Sequence, residues 1–174
     1  MSTQVYLIRH GIAAEPEAYE HDQDRPLTAK GRAKTKAVAQ QMSALDLAFD
    51  EILTSPLVRA QQTAEILLSA NLAPHLTVTE HLAPMGSFAN WLAWLDANLT
   101  QNMNSGGCSP NVLALVGHEP DLSQWAELLI WGEAKGVLQL KKAGVIGIEI
   151  PDQIDPIGNS ILFWLTPPRL LVLS

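Results

Sequence analysis

Cysteine, positive charge and long apolar runs are all scarce in this sequence. Cys108 is the one cysteine among 174 residues, so no internal disulfide can form. There are 11 Lys and Arg against 18 Asp and Glu, and the net charge of -7 argues against a general binder of nucleic acid or anionic membranes. No apolar stretch approaches the ~20 residues that a membrane-spanning helix needs.

The start of the chain has no basic flank leading into a signal-like apolar core. Together with the single cysteine, this predicts a cytoplasmic protein that binds no nucleic acid and no membrane. The remaining composition, 47% apolar and 17% charged, is ordinary for a globular protein. We expect residues 1–174 to form a single domain and the protein to be a monomer.

Apolar runs alternate with segments of helical periodicity along the chain. This alternation predicts an α/β fold, a three-layer single domain with a mostly parallel central sheet flanked by helices. Thr28 can cap the first helix, and Ser55 with Pro56 gives a strong start for the second. The expected strands are residues 5–8, 51–54, 77–79, 112–116, 145–150 and 161–165, the expected helices 28–45, 55–70, 87–99 and 120–131, and the expected surface loop 102–110.

Charged and polar side chains follow three of the expected strands. Arg9 and His10 follow the first strand, Arg59 lies in the first turn of the helix after the second, and His118 follows the buried fourth. Parallel sheets bind ligands outside the carboxyl ends of their strands, so we expect these four side chains to meet at one sheet edge. The sequence therefore predicts an anion site that contains a nucleophile.

Phosphoryl transfer suits these residue types. An Arg guanidinium presents a planar fork of donors that matches phosphate oxygens, which assigns Arg9 and Arg59 to holding the phosphoryl group. A neutral imidazole is a nucleophile toward phosphorus, which assigns that role to His10. His118 would donate a second hydrogen bond to the transferring group. Taken singly, each residue is more often a surface ion pair or a structural histidine; the combination is what points to chemistry.

Four motifs carry a family resemblance. Arg9-His10-Gly11 after an apolar strand, residues 25–31 (RPLTAKG), residues 55–64 (SPLVRAQQTA) and residues 117–123 (GHEPDLS) follow one another in the order of the histidine phosphatase superfamily. The sequence most resembles the short branch of that superfamily, the phosphohistidine phosphatases of the SixA type, over nearly the whole chain.

The resemblance implies a phosphoglycerate mutase-like fold and a hydrolase that forms a covalent phosphohistidine intermediate. It implies His10 as nucleophile, a phosphate pocket of Arg9, Arg59 and His118, and no metal or organic cofactor. Arg25 would line the substrate groove or form a structural ion pair. The implied partner is a phosphohistidine-bearing signalling protein, such as the histidine phosphotransfer domain of a phosphorelay.

The sequence departs from the wider superfamily at two positions. The loop at residues 81–86, where mutases and many phosphatases of this fold carry a Glu general acid, has no carboxylate, although Glu80 lies just before it. An alkoxide leaving group needs a proton from such an acid, whereas the imidazole of phosphohistidine leaves more easily. Ile12 stands where an acidic residue often follows the Gly of the first motif, and the effect of this difference on what the pocket admits stays open at this stage.

Three alternatives remain open at this stage. The protein could be a phosphatase of a small phosphorylated metabolite or a phosphopeptide, against which the absent loop acid counts. It could be a phosphate-binding regulator without turnover. A metal hydrolase is disfavoured, because the sequence has no HExxH motif and no close run of His, Asp and Glu ligands.

Overall fold

A computed structural model describes residues 2–105, 112–152 and 154–172. Its centre is a six-stranded sheet of β1 (Thr3–Arg9), β2 (Glu51–Thr54), β3 (Leu76–Val78), β4 (Val112–Gly117), β5 (Val145–Ile150) and β6 (Ile161–Thr166), in the spatial order β3-β2-β4-β1-β5-β6. The first four strands pair in parallel, and β5 and β6 add two antiparallel pairings at one edge. The mostly parallel sheet is therefore confirmed.

In the described residues, five α-helices surround the sheet: α1 (Ala29–Ala44), α2 (Val58–Ser69), α3 (Phe88–Ser105), α4 (Asp121–Trp131) and the short α5 (Pro168–Leu171). The described connections contain three short 3-10 helices, at Pro16–Ala18, Asp22–Asp24 and Glu80–Leu82. Within the part of the chain that the structure describes, no helix is long and apolar enough to span a membrane.

The central strand β1 divides the core into two halves. Val5 and Leu7 pack with residues of α3 and α4, whereas Tyr6 and Ile8 pack with residues of α1 and α2. Successive side chains of a strand point to opposite faces, so each face of the sheet carries its own layer of helices. This arrangement confirms the three-layer α/β architecture. That residues 1–174 fold as one cooperative domain stays a prediction.

Two expectations about helix boundaries were wrong. Helix α3 continues to Ser105, so residues 102–105 are helical and do not belong to a surface loop; nothing before the Gly pair at 106–107 stops the helix. The rest of that expected loop, with Cys108, lies outside the described residues. Helix α2 begins at Val58 with Leu57 at its N-cap, two residues later than the Ser55-Pro56 pair predicted.

The capping of α1 is as expected. The Thr28 hydroxyl accepts a hydrogen bond from the Gly31 amide at 2.9 Å, which satisfies one of the free N–H groups of the first turn. Thr28 also fixes the preceding loop, because its amide donates to the Ile12 carbonyl at 2.9 Å. Helix α1 is thereby tied to the segment that directly follows His10.

Candidate active site

The pairing of two neighbouring strands places two histidines side by side. Arg9, the last residue of β1, is the register partner of Gly117, the last residue of β4. The next residue on each strand is a histidine, and the ring centroids of His10 and His118 lie 5.1 Å apart, close to the ~4.8 Å spacing of adjacent strands. Both histidines are buried. The sheet itself therefore builds the centre of the site.

Two contacts define which nitrogen of His10 carries the proton. Nδ1 lies 2.7 Å from the Gly11 carbonyl oxygen, which can only accept, so Nδ1 is the donor. Arg59 Nε approaches His10 Nε2 at 3.3 Å, and a guanidinium can only donate, so Nε2 is the acceptor. The two contacts agree that the lone pair of a neutral His10 lies on Nε2.

Gly11 is held in place so that its carbonyl meets this ring. Its amide donates to Thr63 Oγ1 at 3.0 Å, and Thr63 Oγ1 in turn donates to the Arg59 carbonyl of α2 at 2.8 Å. A Cβ at position 11 would clash with Thr35 Oγ1, so only glycine allows this close approach of the backbone to α1.

Burial keeps both imidazoles neutral. Burial is the main cause that lowers the pKa of His10 from 6.5 to about 3; the Gly11 carbonyl favours the charged form, whereas His118, Arg59 and Arg9 contribute to the lowering. Burial, again with the two arginines, lowers the pKa of His118 from 6.5 to about 4. Neither histidine is protonated at neutral pH, and a neutral ring is the form that can attack phosphorus.

His118 is oriented by Ser55, which the sequence predicted to be the N-cap of α2. Ser55 Oγ lies 2.7 Å from His118 Nε2 and accepts a hydrogen bond from the Leu57 amide at 3.3 Å. When the Ser55 hydroxyl proton points to Nε2, the proton of neutral His118 sits on Nδ1. That nitrogen is buried and has no hydrogen-bond partner among the described residues. In this tautomer, His118 has one donor to offer to an anion.

Arg59 lies beside His10, but both terminal nitrogens of its guanidinium group already donate hydrogen bonds to Asp22. Its side chain is buried, and Nη1 and Nη2 donate to the backbone oxygen and the Oδ2 carboxylate oxygen of Asp22 at 2.7 and 2.8 Å. Asp22 lies on a 3-10 helix of the exposed loop between β1 and α1, and its side chain is 55% exposed. Asp22 could not be predicted from the sequence, because a lone Asp in a polar loop does not show which cation it will contact.

Arg25 forms an ion pair in this structure. Its Nη1 lies 2.5 Å from the other carboxylate oxygen of Asp22, and its Nε donates to the Ala14 carbonyl at 2.8 Å. Hydrogen bonds to Arg25 and Arg59 hold the pKa of Asp22 below its usual range, against the opposing effect of burial. Of the two roles left open for Arg25, the structural one is the arrangement seen here.

Arg9 connects the site to the loop before β5. Nη1 donates to the Leu140 carbonyl at 2.9 Å, while Nε is buried with no hydrogen-bond partner in the described part of the chain. The neighbouring carboxyl of Glu119 is half-buried, and burial raises its pKa even though Ser123 Oγ donates to it at 2.6 Å and Arg9 attracts it. Arg9 Nε and, in the tautomer described above, His118 Nδ1 are thus two donors without a described partner near the neutral ring of His10.

The loop at residues 81–86 is fastened near this edge of the sheet without a carboxylate of its own. Glu80 is exposed at the start of its 3-10 helix. Asp121, in the first turn of α4, accepts a hydrogen bond from the Met85 amide at 2.8 Å and so holds the loop. Neither side chain has a contact with His10 among those described. Ile12 is half-buried and lines a cavity beside Arg9.

Among residues 2–105, 112–152 and 154–172, no group of three or more His, Cys, Asp and Glu side chains is arranged to hold a metal ion. That the reaction requires no metal or organic cofactor stays a prediction for experiment.

Sequence comparisons find a matching family profile and relatives among known proteins. The sequence profile of the histidine phosphatase superfamily (branch 1) matches residues 5–87. The phosphohistidine phosphatase SixA of Escherichia coli K12 is 26% identical over 166 residues, which cover 95% of this chain and 94% of that protein. An uncharacterized protein of Picosynechococcus sp. is 47% identical over 171 residues, covering 97% and 99%.

Solved structures share the fold. The structure of the protein histidine phosphatase SixA complexed with tungstate superposes with a TM-score of 0.80 at 25% identity, over 97% of this chain and 99% of that one. A phosphoglycerate mutase from Bacillus anthracis, 15% identical, superposes with a TM-score of 0.67 over 98% and 95%, which confirms the phosphoglycerate mutase-like fold. The protein belongs to branch 1 of the histidine phosphatase superfamily and is a phosphatase similar to SixA.

Proposed function

We propose that this protein is a phosphohistidine phosphatase that removes phosphate from a phosphorylated histidine of a signalling protein through a covalent intermediate on His10. The observation that carries the proposal is the hydrogen bonding of His10, with its proton held on Nδ1 by Gly11 and its lone pair on Nε2 beside Arg59. His10, Arg9, Arg59 and His118 would be the catalytic residues, and a phosphotransfer domain in the cytoplasm the partner.

In the first step, the Nε2 lone pair of His10 forms a bond to phosphorus while the bond from phosphorus to the substrate imidazole breaks. The electron pair of the broken bond goes to the leaving nitrogen, and a substrate ring protonated on its other nitrogen leaves as neutral imidazole. Arg59 and Arg9 neutralise the charge on the equatorial oxygens, and His118 Nδ1 donates to one of them. For this, Arg59 exchanges the Asp22 carboxylate for the phosphoryl oxygens.

In the second step, water attacks phosphorus and the bond to His10 Nε2 breaks. The electron pair returns to Nε2, and the proton lost by water leaves with the phosphate product or enters solvent. The His10 proton remains on Nδ1 throughout, because the Gly11 carbonyl accepts it at 2.7 Å. This contact stabilises the positive charge on the phosphorylated ring, and the enzyme returns to its starting state.

The leaving group favours phosphohistidine over an alkyl phosphate. The loop at residues 81–86 supplies no acid to protonate an alkoxide, whereas neutral imidazole needs none. The similarity to SixA supports the same substrate class, since SixA is a phosphohistidine phosphatase by name. A SixA structure in complex with tungstate, a tetrahedral oxyanion like phosphate, supports an oxyanion site in this fold.

One observation favours a second candidate, a phosphatase of small phosphorylated metabolites. Glu119 directly follows His118, is half-buried, and burial raises its pKa. A carboxyl group with a raised pKa can serve as a general acid. If Glu119 protonates an ester oxygen, alkyl phosphates become substrates.

The test is kcat/KM across phosphate monoesters of rising leaving-group pKa, together with phosphohistidine, with and without a chelator. We expect a steep fall with leaving-group pKa, highest values for phosphohistidine and activated aryl phosphates, and no effect of chelator. A flat dependence that becomes steep in Glu119→Gln would instead establish the metabolite phosphatase. The matched control is Asp121→Asn, which removes a neighbouring carboxylate of α4.

A further inference from the structure

A cationic groove lies next to the candidate active site, and Arg9 belongs to both. The groove has a volume of about 770 Å³, much more than one phosphate fills. Arg9 directly precedes His10 in the sequence and forms part of the lining of the groove. We define the cationic groove by its five basic lining residues, Arg9, Lys34, Lys141, Lys142 and Arg169.

The charge of the groove is opposite to the charge of the protein. The chain carries a net charge of -7 and has 11 basic residues in all, yet five of them line this one cavity. Among the described residues that line it there is no Asp or Glu. The described ion pairs involve other cations, namely Arg25 and Arg59 with Asp22 and Lys135 with Glu133. The groove therefore attracts anions that the rest of the surface repels.

The lining of the groove fits a protein surface better than a small solvated anion. The basic residues come from four segments: the end of β1, α1, the loop before β5 and α5. Between them lie apolar side chains, including Ile12, Leu165 and Pro167. Apolar contact at the centre with charged groups around it is the composition of a protein interface, whereas a free polyphosphate has no apolar part to bury.

We propose that the cationic groove docks an acidic, partly apolar surface segment of the phosphorylated protein substrate, next to the residue whose phosphate enters the site. The inference rests on the proposed function, because it needs a protein substrate. Attraction of this kind raises association rates by about 10- to 10³-fold and weakens with salt.

The test compares a protein substrate with a small one. The groove variant is K34E/K141E/R169E, and the matched control is R32E/K36E/K135E, which makes the same charge change at exposed residues outside the groove. The quantity is the ratio of kcat/KM for a phosphohistidine-bearing phosphotransfer domain to kcat/KM for an aryl phosphate. We expect this ratio to fall about 10-fold or more in the groove variant and less than threefold in the control.

Salt gives the second readout. The ratio for the wild-type protein should fall as ionic strength rises, and the groove variant should lose most of that dependence. An equal fall in both variants, or a ratio that does not change, would overturn the docking role. Because the ratio divides by turnover of a small substrate, a folding defect lowers both terms and does not imitate the effect.

A binding measurement separates this inference from the proposed function. A synthetic amphipathic peptide of alternating Glu and Leu is titrated into the wild-type protein and both variants, with a Gln and Leu peptide as the neutral comparison. Binding of the acidic peptide that only the groove variant loses supports the groove even if no phosphohistidine protein is hydrolysed. Binding of pyrophosphate together with no binding of the peptide would show a site for small anions and overturn the inference.

Discussion

The ends of β1 and β4 look alike in sequence and differ in their hydrogen bonds. A histidine directly follows each strand, and the two rings lie 5.1 Å apart. His10 Nδ1 donates a hydrogen bond to the adjacent Gly11 carbonyl, whereas His118 contacts the hydroxyl of Ser55, which follows β2. In the proposed mechanism, these partners decide which nitrogen of each ring faces the phosphoryl group. Equivalent positions in a sheet can therefore serve as nucleophile and as donor.

Replacing each histidine in turn is the most direct test of the different roles proposed for His10 and His118. His10→Ala should lower kcat by about 10⁴-fold or more, because loss of the nucleophile removes the covalent route. His118→Ala should lower it by about 10²- to 10³-fold, as loss of one positioned donor does. Rapid quenching with labelled substrate at high pH should trap phosphate on the His118→Ala protein and none on the His10→Ala protein.

The trapped label has its own diagnostic chemistry. Phosphate on histidine survives alkali and is lost in acid, so the label should disappear when the quenched protein is acidified. A label that is stable in acid, or one that persists in His10→Ala, would contradict the assignment of the nucleophile.

Arg59 and Arg25 both contact Asp22, but only Arg59 contacts a histidine of the site. Arg59→Ala should lower kcat by about 10²- to 10³-fold, and Arg59→Lys should restore only part of it, since a point charge replaces a bidentate fork. Arg25→Ala, the matched control, should change kcat by less than about threefold if its ion pair is structural. Near-normal kcat in Arg59→Ala with a much lower Tm would make Arg59 structural instead.

The low pKa values of both histidines predict that kcat/KM stays high at more acidic pH than an ordinary histidine would allow. Because the pKa of His10 is about 3 and that of His118 about 4, both rings stay neutral well below the ordinary 6.5. At pH 5 we expect kcat/KM to remain within about threefold of its neutral value, after correction for ionisation of the substrate phosphate near pH ~6. An acid limb at pH 6.5 that follows enzyme ionisation would show that the site is more hydrated than this structure indicates.

The same shift predicts how stability responds to pH. A histidine with a lowered pKa in the folded state binds protons better when the chain is unfolded. The free energy of unfolding therefore has its full value above pH 6.5 and decreases as the pH falls toward 3. Urea unfolding of His10→Asn should therefore show a smaller loss of stability between pH 6.5 and pH 4 than the wild-type protein shows.

The sequence predicted the members of the site that depend on strand order, and missed those that depend on loop packing. His10, Arg59 and His118 follow apolar strands whose carboxyl ends must meet in a parallel sheet. The contact of Asp22 with Arg59 joins residues 37 apart, and that of Ser55 with His118 joins residues 63 apart. Neither follows from local pattern. Ser55 was also misassigned, because a Ser before a Pro is a good helix cap and its competing partner was not visible.

Ser55→Ala should lower kcat moderately, because it removes the hydrogen bond that orients His118. Loss of one neutral hydrogen bond costs about 0.5–1.5 kcal/mol, which corresponds to about a twofold to tenfold fall in kcat if His118 is held less firmly in the transition state. The ¹⁵N chemical shifts of His118 should show its proton redistributing between Nδ1 and Nε2, with those of His10 unchanged. A fall in kcat with unchanged His118 shifts would mean that Ser55 acts by another route.

The smallest expected effect concerns Asp22, whose carboxylate occupies the Arg59 fork that the phosphoryl group needs. Asp22→Asn keeps the shape of the side chain and removes the charge that competes with substrate, at a partly exposed position where an ion pair contributes about 0.3–1 kcal/mol. KM for an aryl phosphate, and the inhibition constant of inorganic phosphate, should both fall by about twofold to fivefold. Asp24→Asn, on the same short 3-10 helix, is the matched control and should change neither. A higher KM in Asp22→Asn would mean that Asp22 orients Arg59 for the phosphoryl group and does not compete with it. In that case the loop between β1 and α1 would belong to the binding site itself, together with His10 and Arg59.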